Sequence, residues 1–127
     1  MQGGAGVDGE RIAAACGDAP ASTEIFTPQT LQALVERLEQ GHAERPQLRF
    51  AAVGGAPVSP RLLERAHAVG LPVHEGYGLS ECASVVALNT ASAHRAGSVG
   101  RVLPHVRVEV AADGEILVLD AGFAGYL

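Results

Sequence analysis

Six consecutive residues of this chain carry groups that could do chemistry together: Gly76-Tyr77-Gly78-Leu79-Ser80-Glu81. A phenol ring between two glycines can lie against a purine, because little shields either face of the ring. The Ser80 hydroxyl can donate a hydrogen bond to a phosphate oxygen. The Glu81 carboxylate can ligate Mg²⁺, an ion that takes one or two carboxylates together with substrate phosphates. Each residue alone is also compatible with a strand end that carries a buried Tyr and an exposed Glu.

A second string, Gly54-Gly55-Ala56-Pro57, stands between an expected strand and an expected helix. Open α/β sheets bind ligands at the carboxyl ends of their strands. Two glycines there would let a flat ring or an acyl chain come close to the backbone. An ordinary strand-to-helix turn explains the same string equally well. The joint pattern says more than either part. Both strings follow strands and they lie one helix apart, so adjacent parallel strands would bring them to one edge of a sheet.

Three other strings fail their own tests. Residues 4–9 fit GxGxxG, but no strand precedes them, so a dinucleotide turn is not indicated. A Walker-type phosphate loop requires Gly-Lys, and all nine basic side chains of the Lys/Arg class are Arg. Ser80 is not a nucleophile elbow, since GxSxG would need Gly where Cys82 stands.

The elements that must position these residues are legible in outline. Asp8 can cap a helix to about residue 15, with Gly17 as its stop. A strand is expected over 22–26. Thr27-Pro28 then gives a cap and a first-turn proline, and Leu31, Leu34, Val35 and Leu38 recur at helical spacing over 28–40. A strand over 48–53 leads into Gly54-Gly55. Ser59-Pro60 opens a helix to about residue 69, with Leu62, Leu63, Ala66 and Val69 inward and Gly70 ending it. The strand over 72–75 enters the Tyr77 turn, and 84–88 reads as strand again. Residues 89–103 read as loop. Val106, Val108 and Val110 alternate with Arg107 and Glu109, the period of a half-buried strand, and Asp113-Gly114 predicts a hairpin to a strand over 115–119. The order implies an α/β fold: a partial open sheet with flanking helices over about 1–105 and a β-hairpin over about 106–119.

Composition narrows the function classes. A chain of 127 residues is one domain or a piece of one. No apolar run reaches membrane-spanning length, and no signal-peptide pattern opens the chain. The net charge of −5 argues against a nucleic-acid surface. Cys16 and Cys82 form no CxxC and read as idle thiols of a cytoplasmic protein. The five histidines show no zinc-ligand spacing.

These strings together resemble the adenylate-forming superfamily, in particular its acyl-CoA synthetases. Residues 50–57 are similar to that family's strand and adenine-side loop. Gly76-Tyr77-Gly78-Leu79-Ser80-Glu81 resembles its aromatic-glycine-(Thr/Ser)-Glu motif. Gly97-Ser98-Val99-Gly100-Arg101 looks like its Gly-Ser-x-Gly loop, and Gly114-Glu115-Ile116 with Gly125-Tyr126-Leu127 looks like its Gly-Glu hairpin and following Gly-Tyr. Thr27-Pro28 ahead of a leucine-rich helix fits as well, so the resemblance covers about residues 20–127.

The resemblance implies roles. Tyr77 would stack on adenine between Gly76 and Gly78, and Gly54, Gly55, Ala56 and Pro57 would line the adenine and acyl side. Ser80 would touch the α-phosphate and Glu81 would hold Mg²⁺. The implied partners are ATP, which leaves as AMP, a carboxylic acid of the fatty-acid class, and coenzyme A. Apolar residues 85–88 accord with an acyl chain. The family's phosphate loop, ribose-binding Asp and adenylating Lys have no counterpart in these residues, and Leu119-Asp120-Ala121 stands where relatives commonly have Arg-Gly. The chain is therefore expected to be a fragment of the large domain, inactive by itself, and completed by further polypeptide or by association. Two alternatives stay open: a non-catalytic adenine-nucleotide or partner-binding fragment, and a fragment of an amino-acid adenylation domain.

Overall fold

The computed structural model describes residues 8–18 and 23–119, and the side chains of 15–18 are not part of that description. The chain divides into two compact units, Met1–His74 and Glu75–Leu127. The expected residues 1–7 and the Gly125-Tyr126-Leu127 string lie outside the described residues.

In the first unit α1 (Gly9–Asp18), β1 (Thr23–Phe26), α2 (Pro28–Glu39), β2 (Phe50–Val53) and α3 (Pro60–Ala68) lead into β3 (Val73–Tyr77), which crosses the boundary between the units. The Asp8 carboxylate accepts from Glu10 N–H at 3.0 Å and so caps α1. The helix runs on through Gly17 rather than stopping there, since one glycine costs a helix only about 1 kcal/mol. Thr27 and Thr30 form a reciprocal capping box on α2: Thr30 N–H donates to Thr27 Oγ1 at 3.2 Å, and Thr27 N–H donates to Thr30 Oγ1 at 2.9 Å. Pro60 takes the first turn of α3 as expected, but the Ser59 side chain makes no capping bond. Gly70, at φ +81°, ends α3. Leu71 N–H reaches back to Ala66 O and Gly70 N–H to His67 O, which satisfies the last carbonyls in a Schellman arrangement.

β1 and β2 pair in parallel, with Thr23 opposite Phe50 and Phe26 opposite Val53, and α2 is the crossover between them. Leu31, Leu34 and Val35 from α2 meet Phe26, Ala51 and Val53 from the strands and Leu62 and Ala66 from α3, together with Leu71 and Val73. All are buried. Leu63 and Val69, expected to face inward, are partly buried against this cluster. At Gly9 a Cβ would lie 2.7 Å from the Ala33 carbonyl, so the close approach of α1 to α2 needs a glycine.

The described residues of the second unit form short strands, turns and loop. The end of β3 pairs antiparallel with β4 (Ala87–Leu88), which pairs antiparallel with β5 (Arg101–Val102). A hairpin of β6 (Arg107–Val110) and β7 (Ile116–Leu119) follows. Its turn matches the Asp113-Gly114 expectation: Gly114 sits at φ +91°, and Glu115 N–H donates to Asp113 Oδ1 at 3.1 Å.

Three expectations need correction here. Residues 84–88 are not one strand, since only Ala87 and Leu88 pair; the chain spends Ser80–Cys82 in a single turn of 3-10 helix and then reverses. Within 89–103, β5 was missed because two residues carry no readable period. Val110, expected on a half-buried face, is 70% exposed opposite an exposed Ile116. Alternation reports which face could be buried, not whether anything covers it.

Candidate nucleotide site

The Tyr77 turn belongs to the second unit. Gly76 and Tyr77 lie in β3, opposite Leu88 and Ala87 of β4. Gly78 and Leu79 leave the strand, and Ser80 and Glu81 form the 3-10 turn with Cys82. The Leu79 carbonyl accepts from both Cys82 N–H and Ser84 N–H at 3.0 Å, and Val86 N–H closes the reversal on Tyr77 O at 2.8 Å. The loop thus starts and ends on the strand that carries the ring.

This reversal is tight. A Cβ on Gly78 would fall inside the Ser84 carbonyl. A Cβ on Gly76 would lie 2.9 Å from the Leu88 side chain. Both glycines therefore have a reason in the chain's own packing, whatever ligand approaches them. Ala83 and Ser84 take positive φ, 55° and 86°, which non-glycine residues avoid. Such strained residues persist only where surrounding bonds hold them, and they gather at functional turns.

The turn presents its polar groups outward. Ser80 is exposed, and Tyr77, Gly78 and Glu81 are half-buried. Among the described residues no cation pairs with Glu81. A half-exposed carboxylate without a protein counter-charge suits the one-carboxylate share of an Mg²⁺ site. Cys82 is a free, half-buried thiol beside it.

The other expected segment lies in the first unit. Gly54 N–H donates to Phe26 O at 3.1 Å and so extends the β1–β2 ladder by one residue. Gly55 then turns the chain at φ +80°, with open space where a Cβ would stand. Ala56 and Pro57 are exposed. A turn of this shape, at the carboxyl end of a parallel strand, leaves backbone accessible to a ligand.

Asn89 went unread in the sequence, where it looks like the first residue of a loop. Among the described residues of the second unit it is the buried polar one, 1% exposed. Its carboxamide meets three backbone groups: Nδ2 donates to Ser98 O at 2.6 Å and to Glu75 O at 3.3 Å, and Oδ1 accepts from Arg95 N–H at 3.0 Å. The only local signal was its position directly after the apolar run 85–88.

Comparison with known proteins gives the family. The family model described as AMP-binding enzyme matches residues 2–127. The chain belongs to the AMP-binding enzyme family. It is 40% identical over 79 residues to the long-chain-fatty-acid–CoA ligase FadD15 of Mycobacterium bovis, which covers 61% of this chain and 13% of that protein. It is 33% identical over 111 residues to the 2-succinylbenzoate–CoA ligase of Listeria innocua, covering 84% of this chain and 24% of the relative. Among solved structures, the amide bond synthetase McbA of Marinactinospora thermotolerans superposes with a TM-score of 0.70 at 29% identity, over 87% of this chain and 23% of that one. The chain thus spans about an eighth to a quarter of the length of these relatives.

Proposed function

We propose that the chain forms a nucleotide-binding portion of an ATP-dependent, AMP-forming carboxylic acid–CoA ligase of the fatty-acid class, working in the cytoplasm. The observation that carries this reading is the turn after β3. Within five residues it sets a half-buried tyrosine, an exposed hydroxyl and a carboxylate that no cation among the described residues pairs, on a backbone reversal that Gly78 and two strained residues keep closed.

In this reading Tyr77 stacks on the adenine, and the Ser80 hydroxyl donates to an α-phosphate oxygen. Glu81 holds Mg²⁺, which when bound neutralises charge on the phosphates. The β2–α3 turn, Gly54 to Pro57, serves the adenine and acyl side through its accessible backbone. A substrate carboxylate oxygen forms a bond to the α-phosphorus, the bond to the bridging oxygen breaks, and pyrophosphate leaves. The sulfur of coenzyme A then attacks the acyl carbon and AMP departs. Positioning and charge stabilisation dominate such phosphate chemistry. Tyr77, Ser80 and Glu81 supply the positioning. The adenylating lysine that the family resemblance implies is not among these residues, whose basic side chains of the Lys/Arg class are all Arg, so in this reading the 127 residues bind nucleotide and the lysine comes from other polypeptide.

Calorimetric titration with Mg·ATP tests the reading. Binding that depends on Mg²⁺ and is lost in both Tyr77→Ala and Glu81→Ala is expected. Binding that either variant leaves unchanged would refute the assigned role of that side chain. Absence of binding by the folded wild-type chain would leave family descent without a formed half-site.

A further inference from the structure

We propose that Asn89 is a positioning residue for the nucleotide turn, tying the strand that carries Tyr77 to the loop before β5. The inference rests on the reading of Tyr77 as the adenine platform and adds a residue that reading does not use.

Three backbone groups, one on β3 and two on the loop before β5, converge on one carboxamide. Glu75, on the same face of β3 as Tyr77 and two residues before it, accepts through its carbonyl from both Asn89 N–H and Nδ2. Ser98 O takes the second Nδ2 proton, and Arg95 N–H donates to Oδ1. The loop is in turn folded onto itself: Ser98 Oγ donates to Arg95 O at 3.0 Å and accepts from Gly100 N–H at 3.3 Å. Gly100, at φ +93°, lies so close to the backbone of Leu88 and Asn89 that a Cβ would fall within it. The loop therefore packs on the end of β4 at Leu88 and Asn89, next to Gly76 and Glu75, the two β3 residues that precede Tyr77.

The chemistry of the amide group fits this task and that of its neighbours in size does not. Only Asn offers two donors and an acceptor at this reach. Two carbonyls and one N–H fix which end of the amide is which. Asp would keep the shape but turn a negative oxygen toward both carbonyls, and Ser would reach too few partners. Either change strands buried backbone groups next to the strand that holds the ring. A purely structural knot would lower stability and leave the site of the folded molecules intact. A positioning residue also changes how tightly folded molecules bind.

The test combines calorimetry with AMP and hydrogen exchange, on wild type and on Asn89→Asp, with Asn89→Ser as the second variant. We expect AMP affinity to fall by roughly tenfold or more, as one lost buried hydrogen-bond set implies, while the binding stoichiometry of the folded protein stays near one. The Val86 amide, bonded to Tyr77 O, should lose protection in the same variants. Reciprocally, saturating wild type with AMP should shift the Asn89 side-chain amide resonances and slow exchange at Arg95 N–H, a readout that needs no variant to fold. Unchanged affinity with lowered thermal stability would overturn the proposal, as would wild-type Asn89 resonances indifferent to bound AMP. If wild type binds no AMP, the functional reading fails separately; Val86 exchange in the variants then decides whether Asn89 sets the turn.

Discussion

The two units hold their shape by different means. In the first, ten buried apolar side chains from two helices, three strands and the turn between α3 and β3 form one cluster. Among the described residues of the second, the buried ones are Val86, Ala87 and Asn89, and six large apolar side chains, among them Val110 and Ile116, stay exposed. The second unit is ordered instead by backbone laid on backbone at Gly78 and Gly100 and by one carboxamide knot. Apolar packing tolerates small volume changes at graded cost. Backbone contact tolerates almost none. The unit carrying the candidate chemistry is the one built in the less forgiving way, which suits a turn that must hold a ring, a hydroxyl and a carboxylate in fixed relation.

The largest effect should come from Gly78→Ala. The added methyl would occupy the place of the Ser84 carbonyl, so the reversal after β3 cannot close in its present form. We expect nucleotide binding to vanish in calorimetry, with loss of exchange protection at Val86, whose amide bonds to Tyr77 O. Retained binding would mean that the turn has slack and that the contrast between the units is overdrawn. Equal loss of protection at Val53 and Val73 would mean that the two units unfold as one.

Leu34→Ala probes the other side of the comparison. Leu34 is fully buried among α2, β1 and β2 residues, so truncation should cost about 2–5 kcal/mol in denaturant unfolding. Protein that remains folded should still bind nucleotide with near wild-type affinity. A collapse of affinity in the folded fraction would show that the core of the first unit sets the site geometry.

What was legible in the sequence follows the same division. Leu31, Leu34 and Val35 recur at the period of a helix, and the structure buries all three. Proline at the first turn marked α2 and α3, and glycine past the last turn marked α3, because those positions have local backbone requirements. The Tyr77 turn was found by its residue types, but its shape was not. The run Ser84-Val85-Val86 has strand character, yet the reversal after Gly78 forces Ser84 to φ 86° and leaves only two residues to pair. Asn89 was missed for a related reason. Its burial is decided by the Arg95–Ser98 carbonyl and amide groups that fold over it, six to nine residues away, and no local pattern announces them.

Thr27→Ala should produce a smaller change. It removes the side-chain half of the capping box on α2, while Thr27 N–H keeps the Thr30 hydroxyl as acceptor. The expected loss is about 1 kcal/mol of stability in denaturant melts, with unchanged cooperativity. A loss as large as that for Leu34→Ala would place the weight of the first unit on its helix ends rather than on its core.

The smallest effect belongs to the surface pair of the first unit. Arg65 grips the Glu39 carboxylate with two bonds, Nε to Oε1 at 2.9 Å and Nη2 to Oε2 at 2.6 Å. These bonds to Arg65 hold the Glu39 carboxyl below its ordinary range, with the guanidinium charge adding to them, and they raise Arg65 in return. A carboxyl whose folded pKa is depressed binds its proton more readily in the unfolded chain. Its contribution is therefore complete above the unfolded value, near 4.5, and drains away as pH falls through the lower folded value. Both side chains are about one-third exposed, and water and salt screen such a pair. Glu39→Gln should accordingly lower stability slightly at neutral pH, and the difference from wild type should close as the pH drops below that range. Raising the salt concentration at neutral pH should narrow it too. A difference that persists in acid, or that ignores salt, would mean that the carboxylate charge is not what the substitution removes, and that the two-bond geometry with Arg65 matters by itself.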